Sequence, residues 1–378
     1  MMKNLYKKIR ELKDKGVEIV DPRQIYISSD VDIDRINKGC VLFPGVRLSG
    51  KNTFIGSYAQ IGTEGPVTIC DSIIGKNVEI ASGFISQTTL LSGVHVGANC
   101  HFRAGTILEE NVCTGHAVGL KHSILMYSVA VGSLINFCDA LISGGRSRSE
   151  HSEIGSGFIH FNFTPWGKNG DKATPSLIGN VTEGVFLDQS RIFIGGLSGM
   201  VGPNKIGFGT TTVAGQVIRK SIESSTLYSE MPIEINKPLS SRNRSFSNKH
   251  IENVNSRNIE YISQLCALRK WYTEIRLRRS LLQNDLELSN VLEGAIGTLL
   301  ICIRERICQY NKFASEWKQP LIDEEDLNVN SKGCNLQLDW KLDLEYDKWI
   351  WNLSANDKTA LSKWISNYAN SVKAILIK

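Results

Sequence analysis

Two side chains two residues apart on an extended strand project to the same side. His160 and Asn162 fall at that spacing. An imidazole titrates near neutrality and is the best generic proton acceptor for an attacking amine or hydroxyl. Cys138 lies next to Asp139, but a neighbouring carboxylate raises a thiol's pKa where a nucleophile needs it lowered, so the pair reads as interior packing. The stretch from Gly144 to His151 carries Arg146 and Arg148 and reads as an inserted loop, either a phosphate grip or an exposed turn. Arg269, Lys270, Arg276, Arg278 and Arg279 crowd one C-terminal helix. A solvated helix face accounts for them as well as a phosphate or membrane-surface contact does. The nine cysteines are an odd number without C-x-x-C spacing. That argues against disulfides and zinc, and a reducing cytoplasm is the expected compartment.

The elements that position these residues divide the chain in two. Of 33 glycines only Gly294, Gly297 and Gly333 lie beyond residue 222, whereas six of the seven tryptophans, from Trp271 on, lie late. In the first part an aliphatic residue followed by a small one recurs, as in Ile55-Gly56, Ile61-Gly62, Ile74-Gly75, Ile80-Ala81 and Val96-Gly97. A six-residue interval is not a whole number of helical turns but suits short strands joined by tight corners, each aliphatic pointing into a shared interior. Stacked coils of this kind form a solenoid. The repeat breaks between residues 100 and 153 and from 156 to 177, where loops project and sites are built. The late part carries helical stripes at 3–4 spacing, Tyr261 to Ile275, Leu292 to Tyr310 and Leu361 to Ile375, predicting a bundle that packs on itself or on the solenoid end. The expected organisation is an N-terminal helix over 1–15, a β-helix over 16–222, a linker over 223–250 and an α-helical domain over 251–378. A charged content of 21% and a net charge of +5 exclude wholesale disorder and give no case for nucleic acid. No apolar run reaches membrane-spanning length.

The hexad pattern, with the segments Gly-Val-Glu-Ile-Val-Asp-Pro from Gly16 and Val41-Leu42-Phe43-Pro44-Gly45, resembles the hexapeptide-repeat acyltransferases. In particular it is similar to the acetyltransferase half of the bifunctional enzymes that make UDP-N-acetylglucosamine. The resemblance covers roughly residues 1 to 235 and implies a left-handed parallel β-helix, here followed by a C-terminal α-helical domain, and a homotrimer. The nucleotidyltransferase half is not matched, so no uridylyl transfer is expected. By resemblance Arg103 and Lys121 hold the phosphate of a nucleotide sugar or sugar phosphate, with Asn136, Asn162 and Lys172 as further substrate-binding positions. Ser156, Gln189 and Ala214 take the places that line an acyl-CoA cosubstrate, and no metal is implied. The family's histidine base is replaced by Ser133, which on the sequence alone has no base beside it, and Glu230 stands where the family has an arginine. His160 is therefore expected to accept the proton, with Ser133 as the position it replaces. The reading is acyl transfer to a UDP-sugar or amino-sugar phosphate; its alternatives are a nucleotide-sugar enzyme that does not use CoA, and a non-catalytic binding or scaffold protein.

Overall fold

The structure, a computed structural model, describes residues 2–164, 172–232, 234–236, 238, 246–327, 333–334 and 336–377. Helix α1 (Met2–Asp14) caps a stack of coils made almost wholly of two- to four-residue strands. Every pairing between successive coils is parallel, and one face is an eleven-stranded sheet running from Glu18–Ile19 to Leu227–Tyr228. The fold is the left-handed parallel β-helix, about eleven turns long. Its core is a set of columns: Leu48, Ile69, Ile85, Phe102, Leu120 and Phe137 lie in register on successive coils and are fully buried. Corners recur at left-handed backbone positions, three of them filled by Asn77, Asn99 and Asn111. Asparagine tolerates that conformation better than most residues.

Two middle coils differ from the rest. Val118–Leu125 and Ile135–Ile142 are eight-residue strands that cross the boundary between the second and third faces of the prism. They pair along their length, Val118 with Ile135 through Leu125 with Ile142. The corner between the two faces falls at His122 and Asp139, both with positive φ. The coil interval then lengthens, first by a small hairpin (Gly145–Ser147 with Glu150–His151) and then by the segment that contains helix α2 (Val181–Gly184).

The C-terminal part consists of α3 (Asn248–Trp271), which continues through a π-helical stretch, Tyr272–Leu277, into α4 (Arg278–Leu282), then α5 (Leu286–Trp317), α6 (Tyr346–Trp351) and α7 (Ala355–Leu376). These helices pack along the third face rather than on the solenoid end. The outward residues Phe54, Ile73, Leu91, Ile107, Ile124, Leu141 and Leu177 share one buried cluster with Leu265, Trp271, Leu299 and Ile303. Third-face strands are short and apolar on both sides, so a second layer must cover their outer side. Helix α5 is long and apolar enough to cross a membrane by length and composition; here its apolar side lies on the third face. Polar contacts lock the seam: Thr89 Oγ1 to Thr298 Oγ1 at 2.9 Å, the Val181 N–H donating to Gln264 Oε1 at 2.8 Å, and the Tyr272 hydroxyl donating to Glu109 at 2.5 Å.

Candidate functional site

On the second face of the middle coils the strand alternation points Gly119 and Lys121, then Asn136 and Cys138, outward, while Val118, Leu120, Ile135 and Phe137 fill the interior. The register places Lys121 beside Cys138. Arg103, one coil earlier, follows the pairing of Phe102 with Leu120 and so stacks next to Lys121. Its Nη2 donates to the Cys138 sulfur at 3.7 Å. Burial pushes the Cys138 thiol up, and Asp139 adds to this; Arg103, Lys121 and Lys172 all act in the opposite direction. Arg103 thus touches this half-buried thiol, Lys121 stands beside it in register, and the Lys172 charge acts on it as well. Among the described residues no carboxylate lies within 4.0 Å of Arg103 or Lys121. Cys138 is thus on the outer wall at the centre of a basic face, not in the interior as its sequence neighbour suggested.

Behind that face lies a buried polar cluster. Asp139 meets His122 Nδ1 at 3.5 Å, receives the Asn162 amide at 3.2 Å and faces Arg306 Nη1 of α5 at 3.8 Å. Burial raises the Asp139 carboxyl, but the Arg306 charge, the His122 contact and the Asn162 hydrogen bond outweigh it and bring the pKa to about 2. Gly105 makes the corner possible: at φ +75°, a Cβ there would come within 2.5 Å of His122 and 3.0 Å of the Cys302 sulfur.

His160 belongs to this cluster and not to the surface, which corrects its expected role. The residue is 4% exposed and its ring lies tilted against Phe137, centroids 6.1 Å apart. Nδ1–H donates to the Cys138 carbonyl at 2.5 Å, so Nε2 is the acceptor, and the Ser176 hydroxyl at 2.9 Å satisfies it. Burial holds its pKa below the ordinary value. Sharing a strand side with Asn162 was the right geometry, but the side in question faces inward. A base with both nitrogens occupied takes no proton from a substrate.

The other end of the second face holds a pair that sequence reasoning missed. Thr114, Val131 and Ile154 are in register, so His116, Ser133 and Ser156, each two residues further on, stack at the corner between the first and second faces. Ser133 Oγ is 2.8 Å from His116 Nδ1, and Ser156 Oγ accepts from the Ser133 N–H at 3.1 Å. Ser133 therefore does have a base beside it. The signal was a spacing of one full coil, visible once the rungs are aligned. The same column continues through Gly196 to Ala214. Side chains here are minimal: a Cβ at Gly195 would lie 2.5 Å from the Ala214 nitrogen, and one at Gly132 would lie 2.5 Å from Ser156 Oγ. The resulting bare corner leads away from His116. Gln189 is not part of it. It precedes the first-face strand Phe193–Ile194, at that strand's other end, bonded to Asp188, because the insertion holding α2 carries it towards the helices. Glu230 sits at the last coil, where the Tyr228 hydroxyl already donates to it.

Gly167–Asp171 lie outside the described residues; Lys172 is described and exposed. Arg146 and Arg148 donate to the Asp188 and Asn111 carbonyls, away from the basic face. The C-terminal arginines form neither a solvated face nor a phosphate grip as a set. Arg276 and Arg279 are buried, stacked over Tyr272, Tyr346 and Trp349, and Arg276 pairs with Glu109 and Glu110. Among the described residues no His, Cys, Asp and Glu cluster could hold a metal.

Fold and site together define a hexapeptide-repeat solenoid with a basic face on its middle coils. No family model matches the chain. The solenoid part is similar to the bifunctional protein GlmU of Carboxydothermus hydrogenoformans, 30% identical over 238 residues, which is 63% of this chain and 47% of that one. It is also similar to the GlmU proteins of Thermosipho africanus (31% over 226 residues, 60% and 44%) and Thermotoga maritima (30% over 217 residues, 57% and 42%). The chain thus spans less than half the length of these relatives, and its resemblance is to the acetyltransferase half. Among solved structures, LpxA of Acinetobacter baumannii covers 57% of this chain and 70% of its own at 18% identity and a TM-score of 0.20.

Proposed function

We propose that this chain transfers an acyl group from an acyl-CoA to an amino or hydroxyl group of a phosphorylated sugar, either an amino-sugar phosphate or a UDP-sugar. The observation that carries this reading is Arg103 in contact with Cys138 and Lys121 in register beside it, with no carboxylate within 4.0 Å of either cation among the described residues and Lys172 adding positive charge. A forked guanidinium beside point ammonium charges suits phosphate oxygens. The strand from Ile135 to Cys138 rises about 10 Å and Leu134 turns the corner to Ser133, so a substrate anchored by its phosphate on the cations reaches back to the corner with its sugar. Asn136 lies between the two on the same outward side.

At the corner, Ser133 donates its hydroxyl proton to His116 Nδ1 when Nε2 carries the ring proton. As the acceptor nitrogen or oxygen bonds to the thioester carbonyl carbon, its proton passes to Ser133 Oγ while the Ser133 proton passes to His116. The carbon–sulfur bond breaks, and the leaving thiolate takes the proton back from the imidazolium. Proton transfer of this kind contributes ~10²–10⁴ in rate. The bare corner past Ser156 to Ala214 accepts the extended arm of the thioester without a side chain in its way. Leu134, Phe161, Phe163 and Leu197 are exposed beside the face, which supports the homotrimer expected from the resemblance, and a light-scattering mass near one protomer would remove that part.

Calorimetric titration with acetyl-CoA, UDP-N-acetylglucosamine and glucosamine 1-phosphate tests the reading. Binding of acetyl-CoA together with a phosphorylated sugar supports it. A sugar response without CoA binding favours a sugar-nucleotide enzyme that does not use CoA, a reading to which Glu230 lends weight. Silence towards all three leaves a scaffold protein.

A further inference from the structure

Arg306 is 1% exposed and comes from the middle of α5, yet it ends at the back of the basic face. Its Nη2 donates to the Lys172 carbonyl at 2.9 Å and its Nη1 lies 3.8 Å from Asp139 Oδ1. Nε and Nη1 have no hydrogen-bond partner among the described residues. A guanidinium stripped of water and left with so few bonds is costly, and such a group persists where its charge is required. What it faces is Asp139, an ionised carboxylate directly behind Cys138. The remaining neighbours do not supply that charge: Asn162, Tyr261 and Cys302 are uncharged partners, His160 is held neutral by burial, and His122 is a cation only when protonated.

We propose that Arg306 is a positioning residue of the phosphate site. Its charge cancels Asp139, so that the field of Arg103, Lys121 and Lys172 reaches a phosphate-bearing ligand undiminished. The helical domain is then part of the binding site although it touches no ligand. This inference rests on the reading of the basic face as a phosphate site.

The charges make opposite predictions for the two partners. Affinity for UDP-N-acetylglucosamine and glucosamine 1-phosphate, measured by calorimetry on the full chain, should fall ~10-fold or more in Arg306→Met, where a buried carboxylate is left unbalanced. It should hold or tighten in Asp139→Asn. The double variant should return to within ~3-fold of the starting protein, as expected for coupled rather than independent sites, and Arg306→Lys should rescue most of the loss. A tether acting only through the Lys172 carbonyl would leave the double variant as weak as Arg306→Met, and that result overturns the inference. If Arg306→Met does not fold, weakened binding in Asp139→Asn overturns it equally. A starting protein that binds neither probe removes the phosphate reading itself, and the inference falls with it; multiplied losses with wild-type binding intact sink the inference alone.

Discussion

The same two strands serve two different surfaces. Over Val118–Lys121 and Ile135–Cys138 the outward residues are a glycine, a lysine, an asparagine and a thiol, and the face is open. Past the corner at His122 and Asp139, the outward residues Ile124 and Leu141 are fully buried under the helices. One register, one backbone and one interior column thus support a chemical face and a docking face a few residues apart. The solenoid core is indifferent to what its outward side chains are, because alternation separates them from it. What differs is what covers them. The candidate chemistry lies on the face without a second layer, and Arg306 of the second layer reaches the back of that face.

Breaking the docking face should have the largest effect. Leu141→Asp places an unpaired carboxylate in the helix–solenoid seam and should cost on the order of 4–5 kcal/mol or more, seen as loss of the cooperative melt or as insoluble protein. Lys121→Ala, on the neighbouring strand, should leave the melting curve within ~0.5 kcal/mol; equal damage from both would erase the distinction between the faces.

His116→Gln keeps a polar side chain beside Ser133 but no titratable nitrogen. Acyl transfer in that variant should drop ~10²–10⁴ in kcat, with sugar-phosphate affinity nearly unchanged. His160→Gln, by contrast, should lose stability by ~1–3 kcal/mol through its two buried hydrogen bonds and should spare the chemical step. The reverse ranking in initial-rate assays would restore His160 to the reaction and remove the corner pair.

On the open face, Arg103→Ala or Lys121→Ala should weaken phosphorylated-sugar binding by ~1.5–3 kcal/mol each. Full affinity in both, with intact secondary structure by circular dichroism, would show that the basic face does not bind the ligand.

The smallest effect concerns acid. Asp139 has a folded pKa of about 2, below its ordinary value of 3.8. A depressed carboxyl contributes stability that is complete above the unfolded pKa and is lost as pH falls from near 4 towards 2. Asp139→Asn should therefore lower the melting temperature most near pH 7 and flatten its acid limb, the two proteins converging as pH falls from near 4 towards 2. An unchanged acid limb would mean that Asp139 is not the buried anion Arg306 faces.

The amino-acid sequence by itself determined the solenoid, its columns and its breaks, because a two-sided pattern of aliphatic and small residues leaves little freedom for the backbone. The family resemblance pointed to Arg103, Lys121 and Asn136, and these three stand on adjacent coils, Lys121 and Asn136 on the outward side of their strands. Three features were decided by tertiary structure. His160 and Asn162 share a strand side, but which side is inward depends on how the long strands turn at His122 and Asp139, and alternation alone does not say. His116 and Ser133 are 17 residues apart in sequence and 2.8 Å apart in space, a proximity that exists only when successive coils stack. Arg306 reads in the sequence as one more polar residue beside an apolar helical stripe. Its burial against Asp139 follows from the helices lying along the third face rather than at the solenoid end, and that choice is made by the apolar outer side of strands whose coverage no local pattern records.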